Sequence, residues 1–68
     1  MKEGDHMYEI LKGMIESSNY NKSISGLLTI KDFIDIIPMC YVISGKISLT
    51  QINNLIDKIN ELISELSD

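Results

Sequence analysis

Apolar residues recur along this chain at helical intervals in three blocks, separated by polar or glycine-bearing stretches. In the first block Met7, Ile10, Leu11, Met14 and Ile15 sit at i, i+3, i+4, i+7 and i+8, one face of an amphipathic helix. The spacing predicts a helix over 7–17, with Asp5 as the candidate N-cap. Gly13 lies inside the pattern and costs about 1 kcal/mol relative to Ala. The polar run Ser17-Ser18-Asn19-Tyr20-Asn21-Lys22-Ser23 is expected to end the helix.

In the second block, Thr29-Ile30-Lys31-Asp32 has the form of a capping box with Asp in place of Glu. Ile30, Phe33, Ile34, Ile37 and Tyr41 follow at helical spacing, with Ile36, Cys40 and Ile43 on an adjacent strip. A helix apolar over so much of its circumference is expected to be the most buried element. The predicted span is 29–44, preceded by a linker over 23–28 that lays Ile24 and Leu27 across the core. Pro38 interrupts it, because proline lacks a backbone donor and disfavours helical geometry at Ile37; a kink or break is expected there. The competing arrangement is a hairpin in which 39–43 pairs with 47–50 around Ser44-Gly45-Lys46. The helix is preferred, since Gly45 is placed to act as a left-handed C-terminal cap.

The third block carries the strongest signal. Ser48-Leu49-Thr50-Gln51 is a full capping box, with Ser48 as N-cap and Gln51 at N3. Leu49, Ile52, Ile56, Ile59, Ile63 and Leu66 then alternate three and four apart, the a/d seam of a heptad, and predict a helix over 49–66. Leu55 and Leu62 fall on flanking g positions and widen the stripe toward the face of a helix bundle. The seam is too short for a free-standing coiled coil. It must pack on the rest of the chain, on a second copy or on another protein.

Length turns this pattern into an expectation about assembly. A chain of 68 residues makes one domain, and at this size only about 60% of the unfolded surface is buried on folding. Such chains need a staple. One Cys excludes an internal disulfide, and no Cys/His cluster has the spacing of a structural metal site. Self-association is the remaining option. The expected fold is therefore all-α: three helices, 7–17, 29–44 kinked at Pro38 and 49–66, completed as a homodimeric bundle.

Charge and composition narrow the partners. A net charge of −4, with six Lys and no Arg, argues against nucleic acid as a direct ligand. The most apolar stretch, Leu27 to Ile43, contains Lys31, Asp32 and Asp35, each costing about 2.5–3.5 kcal/mol near a bilayer centre, so no membrane span is expected. The acidic N-terminus lacks the apolar core of a secretory signal, and a cytoplasmic location is expected. Gly, Ala, Arg and Pro together number five, while Ile, Lys, Asn and Ser abound. That balance points to an AT-rich genome, that of a low-GC bacterium or one of its phages or plasmids. Lys2-Glu3-Gly4 is encodable as a purine-rich ribosome-binding sequence just upstream of Met7. Residues 1–6 are thus expected to be a disordered translated leader or a cloning remnant, with 7–68 as the domain.

Nothing in the sequence assembles a catalytic set. The single His lies in those first six residues, no Ser–His or Cys–His arrangement follows it, and the four glycines are scattered. No enzyme activity, cofactor, metal or small-molecule substrate is expected. Cys40, with no basic neighbour, is expected to pack in the core as a small hydrophobe. Asp57, Glu61, Glu65 and Asp68 form an acidic stripe on the last helix, read first as a solvated face.

Tyr41-Val42-Ile43-Ser44-Gly45-Lys46-Ile47-Ser48-Leu49-Thr50-Gln51 resembles a pattern in short phage proteins encoded near tail genes. Those run helix, Gly-Lys-Ile, Ser or Thr, two residues, Glu or Gln, and a further short helix. The match covers under a fifth of the chain, and the long heptad helix that follows departs from it. The resemblance implies a mobile-element origin.

The expected function is that of a small acidic, non-catalytic interaction protein, a phage- or mobile-element-encoded inhibitor or regulator that binds and occludes a larger host protein. The alternative is an assembly component whose self-association is its function. The expected interface is Leu49, Ile52, Leu55, Ile56, Ile59, Leu62, Ile63 and Leu66, set in a partner's groove with Asp57, Glu61 and Glu65 as an acidic rim.

Overall fold

The computed structural model describes residues 4–67. Four helices follow one another, α1 (Gly4–Tyr20), α2 (Ile24–Asp35), α3 (Met39–Ile43) and α4 (Leu49–Ser67), with no strand among the described residues. The all-α expectation holds and the hairpin alternative for 39–50 does not, but there are four helices where three were expected. The three long helices pack pairwise on one another, while α3 makes only slight contact with any of them.

Helix α1 is longer than its apolar stripe suggested. It begins at Gly4, which places Asp5 inside the first turn rather than at the cap, and gives Gly4 to His6 of the expected leader a helical backbone. Residues 1–3 of that leader lie outside the described residues. At the other end the helix passes Ser17 and runs to Tyr20, where a Schellman motif closes it. The Ser23 amide donates to the Ser18 carbonyl at 2.9 Å and the Lys22 amide to that of Asn19 at 3.0 Å. This places Lys22 at φ 55°, the left-handed region usually filled by glycine. With a lysine in that position the stop signal is not visible in the sequence.

The expected linker over 23–28 is instead the start of α2. Ser23 is its N-cap, in extended geometry, and its hydroxyl accepts from the Gly26 amide at 2.9 Å. Thr29 caps nothing; its hydroxyl donates back to the Ser25 carbonyl. A Cβ on Gly26 would lie 2.8 Å from the Ser18 hydroxyl of α1 and 2.9 Å from that of the N-cap Ser23, so a larger residue would require the serine hydroxyls to turn away.

Pro38 breaks the expected central helix outright. Ile36 and Ile37 donate into the last turn of α2, to Phe33 and Ile34. Pro38 then takes extended geometry and stands as the N-cap of a new turn, α3. A second Schellman motif ends α3, with Lys46 donating to Tyr41 at 2.9 Å and Gly45, at φ 82°, donating to Val42 at 3.1 Å. Gly45 is thus the left-handed cap that its position predicted. The capping box of α4 is reciprocal, the Ser48 amide donating to Gln51 Oε1 at 3.1 Å and the Gln51 amide to Ser48 Oγ at 3.0 Å.

The core is small and wholly aliphatic. Leu11 and Ile15 of α1, Leu27, Ile30 and Ile34 of α2, and Leu55, Ile59 and Leu62 of α4 meet along the bundle axis, and Ile47 plugs one end from the α3–α4 connection. Each such buried side chain contributes about 1.5–3 kcal/mol. No polar side chain is buried among the described residues. The buried face of α4 is turned from the a/d seam toward its g positions, because α1 and α2 both pack on it and need a broad face rather than a narrow seam.

Candidate functional site

The 36–45 segment behaves differently from the rest of the chain. Between Asp35 and Lys46 ten successive residues carry no charge, yet α3, at their centre, contains no buried residue. Val42 is its attachment, half-buried against the core. The opposite side faces solvent, and Cys40 is exposed. The expectation that Cys40 packs in the core is overturned, as is the expectation that this region is the most buried element. Once Pro38 ends α2, a single turn of helix has too few residues to reach the core with more than one side chain.

Two apolar features flank α3. On one side is a groove of about 450 Å³. Met7, Ile10, Leu11 and Met14 form its α1 wall, Phe33 and Tyr41 also line it, and Lys46 is the one charged lining residue among those described. The apolar stripe of α1 is therefore divided: Leu11 and Ile15 are buried in the core, while Ile10 and Met14 are exposed. On the other side is a ridge. Met39 and Ile43 lie two residues before and after Tyr41, about half a helical turn round. They are 62% and 80% exposed, and Ile36, at the end of α2 before the Pro38 break, is 74% exposed. Exposed apolar surface in contiguous patches of this kind marks interaction sites in soluble proteins.

The residues expected from the sequence to form an interface fall into three groups. Leu55, Ile59 and Leu62 are taken up by the chain's own core. One chain buries Leu55 and Leu62 without a second copy. Ile52, Ile56, Ile63 and Leu66 are half-buried against that core, and Leu49 is exposed. Asp57, Glu61 and Glu65 are exposed on α4, with Lys58 Nζ 3.5 Å from Glu61 Oε1. The outer face of α4 beyond Leu49 is thus polar, and most of the apolar surface left open is that of α1, α2 and α3. The sequence signal that could have found it was the uncharged run 36–45 taken with Pro38.

A smaller cleft of about 210 Å³ between α1 and α4 is lined in part by Lys12, Glu16 and Lys58. No three His, Cys, Asp or Glu among the described residues are grouped to hold a metal ion, and no helix among them is long and apolar enough to cross a membrane. No protein-family model, curated protein or solved structure matches the chain.

Proposed function

We propose that this is a small non-catalytic interaction protein that acts by burying the apolar surface around α3 against another polypeptide. The observation that supports the reading is the ten-residue uncharged segment 36–45, whose large side chains Ile36, Met39 and Ile43 stand in solvent beside an apolar groove. Leaving such surface in water is unfavourable by about 25 cal/mol per Å², so a partner that covers it gains affinity from the hydrophobic effect and draws specificity from the charges at the edges. In its concrete form the protein is an inhibitor or regulator from a phage or other mobile element of a low-GC bacterium, acting in the cytoplasm by occluding a larger host protein. Residue usage rich in Ile, Lys and Asn supports that origin. A second reading, an assembly component, is favoured by the presence of both a ridge and a groove of matching apolar character on one chain.

A photo-crosslinking residue placed at Ile43, with one at Asn53 on α4 as control, tests the interaction reading in cells. Covalent adducts to polypeptide are expected from position 43 and not from position 53. Adducts only from position 53, or none from 43, would overturn it.

A further inference from the structure

We propose that the groove along α1 takes an amphipathic helix of another protein, with apolar residues at i, i+3 or i+4, and i+7 and an acidic side chain beside them for Lys46. The inference rests on the interaction reading above and gives the partner its chemistry. The place for such a helix follows from the packing. α1, α2 and α4 pack on one another, and α1 and α2 are close together near their connecting turn, where a Cβ on Gly26 would lie 2.8 Å from the Ser18 hydroxyl. Toward the other end of that pair, Met7, Ile10 and Met14 of α1 and Phe33 of α2 line open space of about 450 Å³, and no described residue of α4 joins them. An occupant there stands where the fourth helix of a bundle would. α3, at five residues, is too short to fill that position.

Length and openness choose the kind of occupant. Met7 and Met14 are two turns apart, about 10 Å along the helix, which matches three apolar anchors of a partner helix laid against them. The walls stay open, with Ile10 61%, Met14 46% and Phe33 49% exposed. A free small molecule is normally enclosed over about 70–90% of its surface, more than such walls can cover, whereas side chains projecting from a partner's helix bring their own cover. An extended peptide that adds to a sheet needs a free strand edge, and the described residues contain no strand. Methionine at both ends of the stripe suits the task, since its flexible thioether adapts to varied apolar side chains.

Charge chooses the partner's polar group. Lys46 forms no ion pair among the described residues. Glu9, Lys12 and Glu16 of α1 fall on the side of that helix turned away from the Met7–Ile10–Met14 stripe. An apolar occupant without a carboxylate would strip water from the Lys46 ammonium and put nothing in its place. An acidic side chain at that point supplies a charge-assisted partner instead. A second copy laid groove to groove brings no acid there, because none of the described lining residues is acidic.

A display library panned against the whole chain tests this. Its members are peptides of about 16 residues, long enough to hold helical form, with the apolar stripe fixed and the other positions randomised. The wild-type protein is expected to enrich Asp or Glu at one fixed offset from the stripe, and Lys46→Glu to enrich Lys or Arg there. For an enriched peptide, reversing either charge alone is expected to raise Kd about two- to fivefold, and reversing both to restore it. Ile10→Ser with Met14→Ser, at exposed positions, is expected to abolish binding with an unchanged far-ultraviolet circular dichroism spectrum; if that variant unfolds, the reversal at exposed Lys46 decides. No enrichment, enrichment without an acidic preference, or a preference unchanged by Lys46→Glu would overturn the proposal. So would a wild-type dimer lost on substituting Ile10 and Met14, which assigns the groove to a second copy, or Lys46-dependent binding of dodecanoate where no helix binds, which assigns it to an anionic amphiphile. In each of these cases adducts from position 43 would keep the interaction reading, and their absence would remove both.

Discussion

Gly13→Ala and Gly45→Ala add the same carbon to positions where it would meet nothing within 4 Å, so any difference between them comes from the backbone alone. Gly13 is inside α1 with ordinary helical geometry, and replacing it should stabilise the protein by about 1 kcal/mol through helix propensity. Gly45 holds φ at 82° in the cap of α3. An L-residue there costs about 1–2 kcal/mol, offset in part by the roughly 0.4–1 kcal/mol gained when alanine restricts the unfolded chain. The net expectation is a loss of about 1 kcal/mol. The two variants should therefore differ by about 2 kcal/mol, with Tm moving about 4–8 °C up for one and as much down for the other. The double variant should return near wild type, since the sites share no partner. Thermal and urea unfolding followed by far-ultraviolet circular dichroism reads this directly, with all variants compared at one fixed protein concentration. A Gly45→Ala protein as stable as wild type would refute the reasoning, for the Schellman cap would then not need its left-handed residue.

Other consequences follow from the caps and the core. Lys22→Gly relieves the left-handed lysine at the end of α1 and should raise stability by about 0.5–1 kcal/mol in the same unfolding assay. Ser48→Ala removes the hydroxyl that accepts from the Gln51 amide and should lower it by about 1 kcal/mol. Ile59→Ala opens a void at a fully buried position and should cost about 2–5 kcal/mol, enough to leave much of so small a domain unfolded, whereas Leu49→Ala, on the same helix but exposed, should be close to neutral. Removing the Lys58–Glu61 pair, both partners more than half exposed, should change stability by less than about 0.5 kcal/mol, and that small effect should vanish in high salt.

What could be read from the residues was set by local chemistry. Ser48 and Gln51 announce α4 because both halves of the capping box are side chains at a fixed spacing, and Gly45 announces the end of α3 because only glycine adopts that conformation without strain. The C-terminus of α1 was hidden for the complementary reason: lysine occupies a position where glycine would have been legible. The start of α2 was hidden because Gly26 and its neighbouring serines argue locally for a loop. In the fold a Cβ on Gly26 would crowd the hydroxyls of Ser18 and Ser23, a contact the local sequence does not show. Which apolar face stays open was set by a longer-range effect. Periodicity marks which side chains are apolar, and on α4 it marked them correctly, but it does not say which of several apolar faces the bundle fills first. Three long helices fill the α4 face, and the Pro38 break leaves the uncharged segment 36–45 largely outside.

The interior described above contains isoleucine and leucine and nothing else, while the serines that cap α2 and α4 bond to backbone at the helix starts and the Lys31–Asn60 bond between α2 and α4 is exposed. An interior of that kind exchanges one aliphatic for another at little cost as long as total volume is kept, and no buried polar pair ties one substitution to another. The stops and starts at Ser23, Gly45, Ser48 and Gln51 have few substitutes. In a lineage descended from this chain the buried positions would therefore drift freely among a few aliphatic letters, and ancestry would be traced by the intervals between its caps.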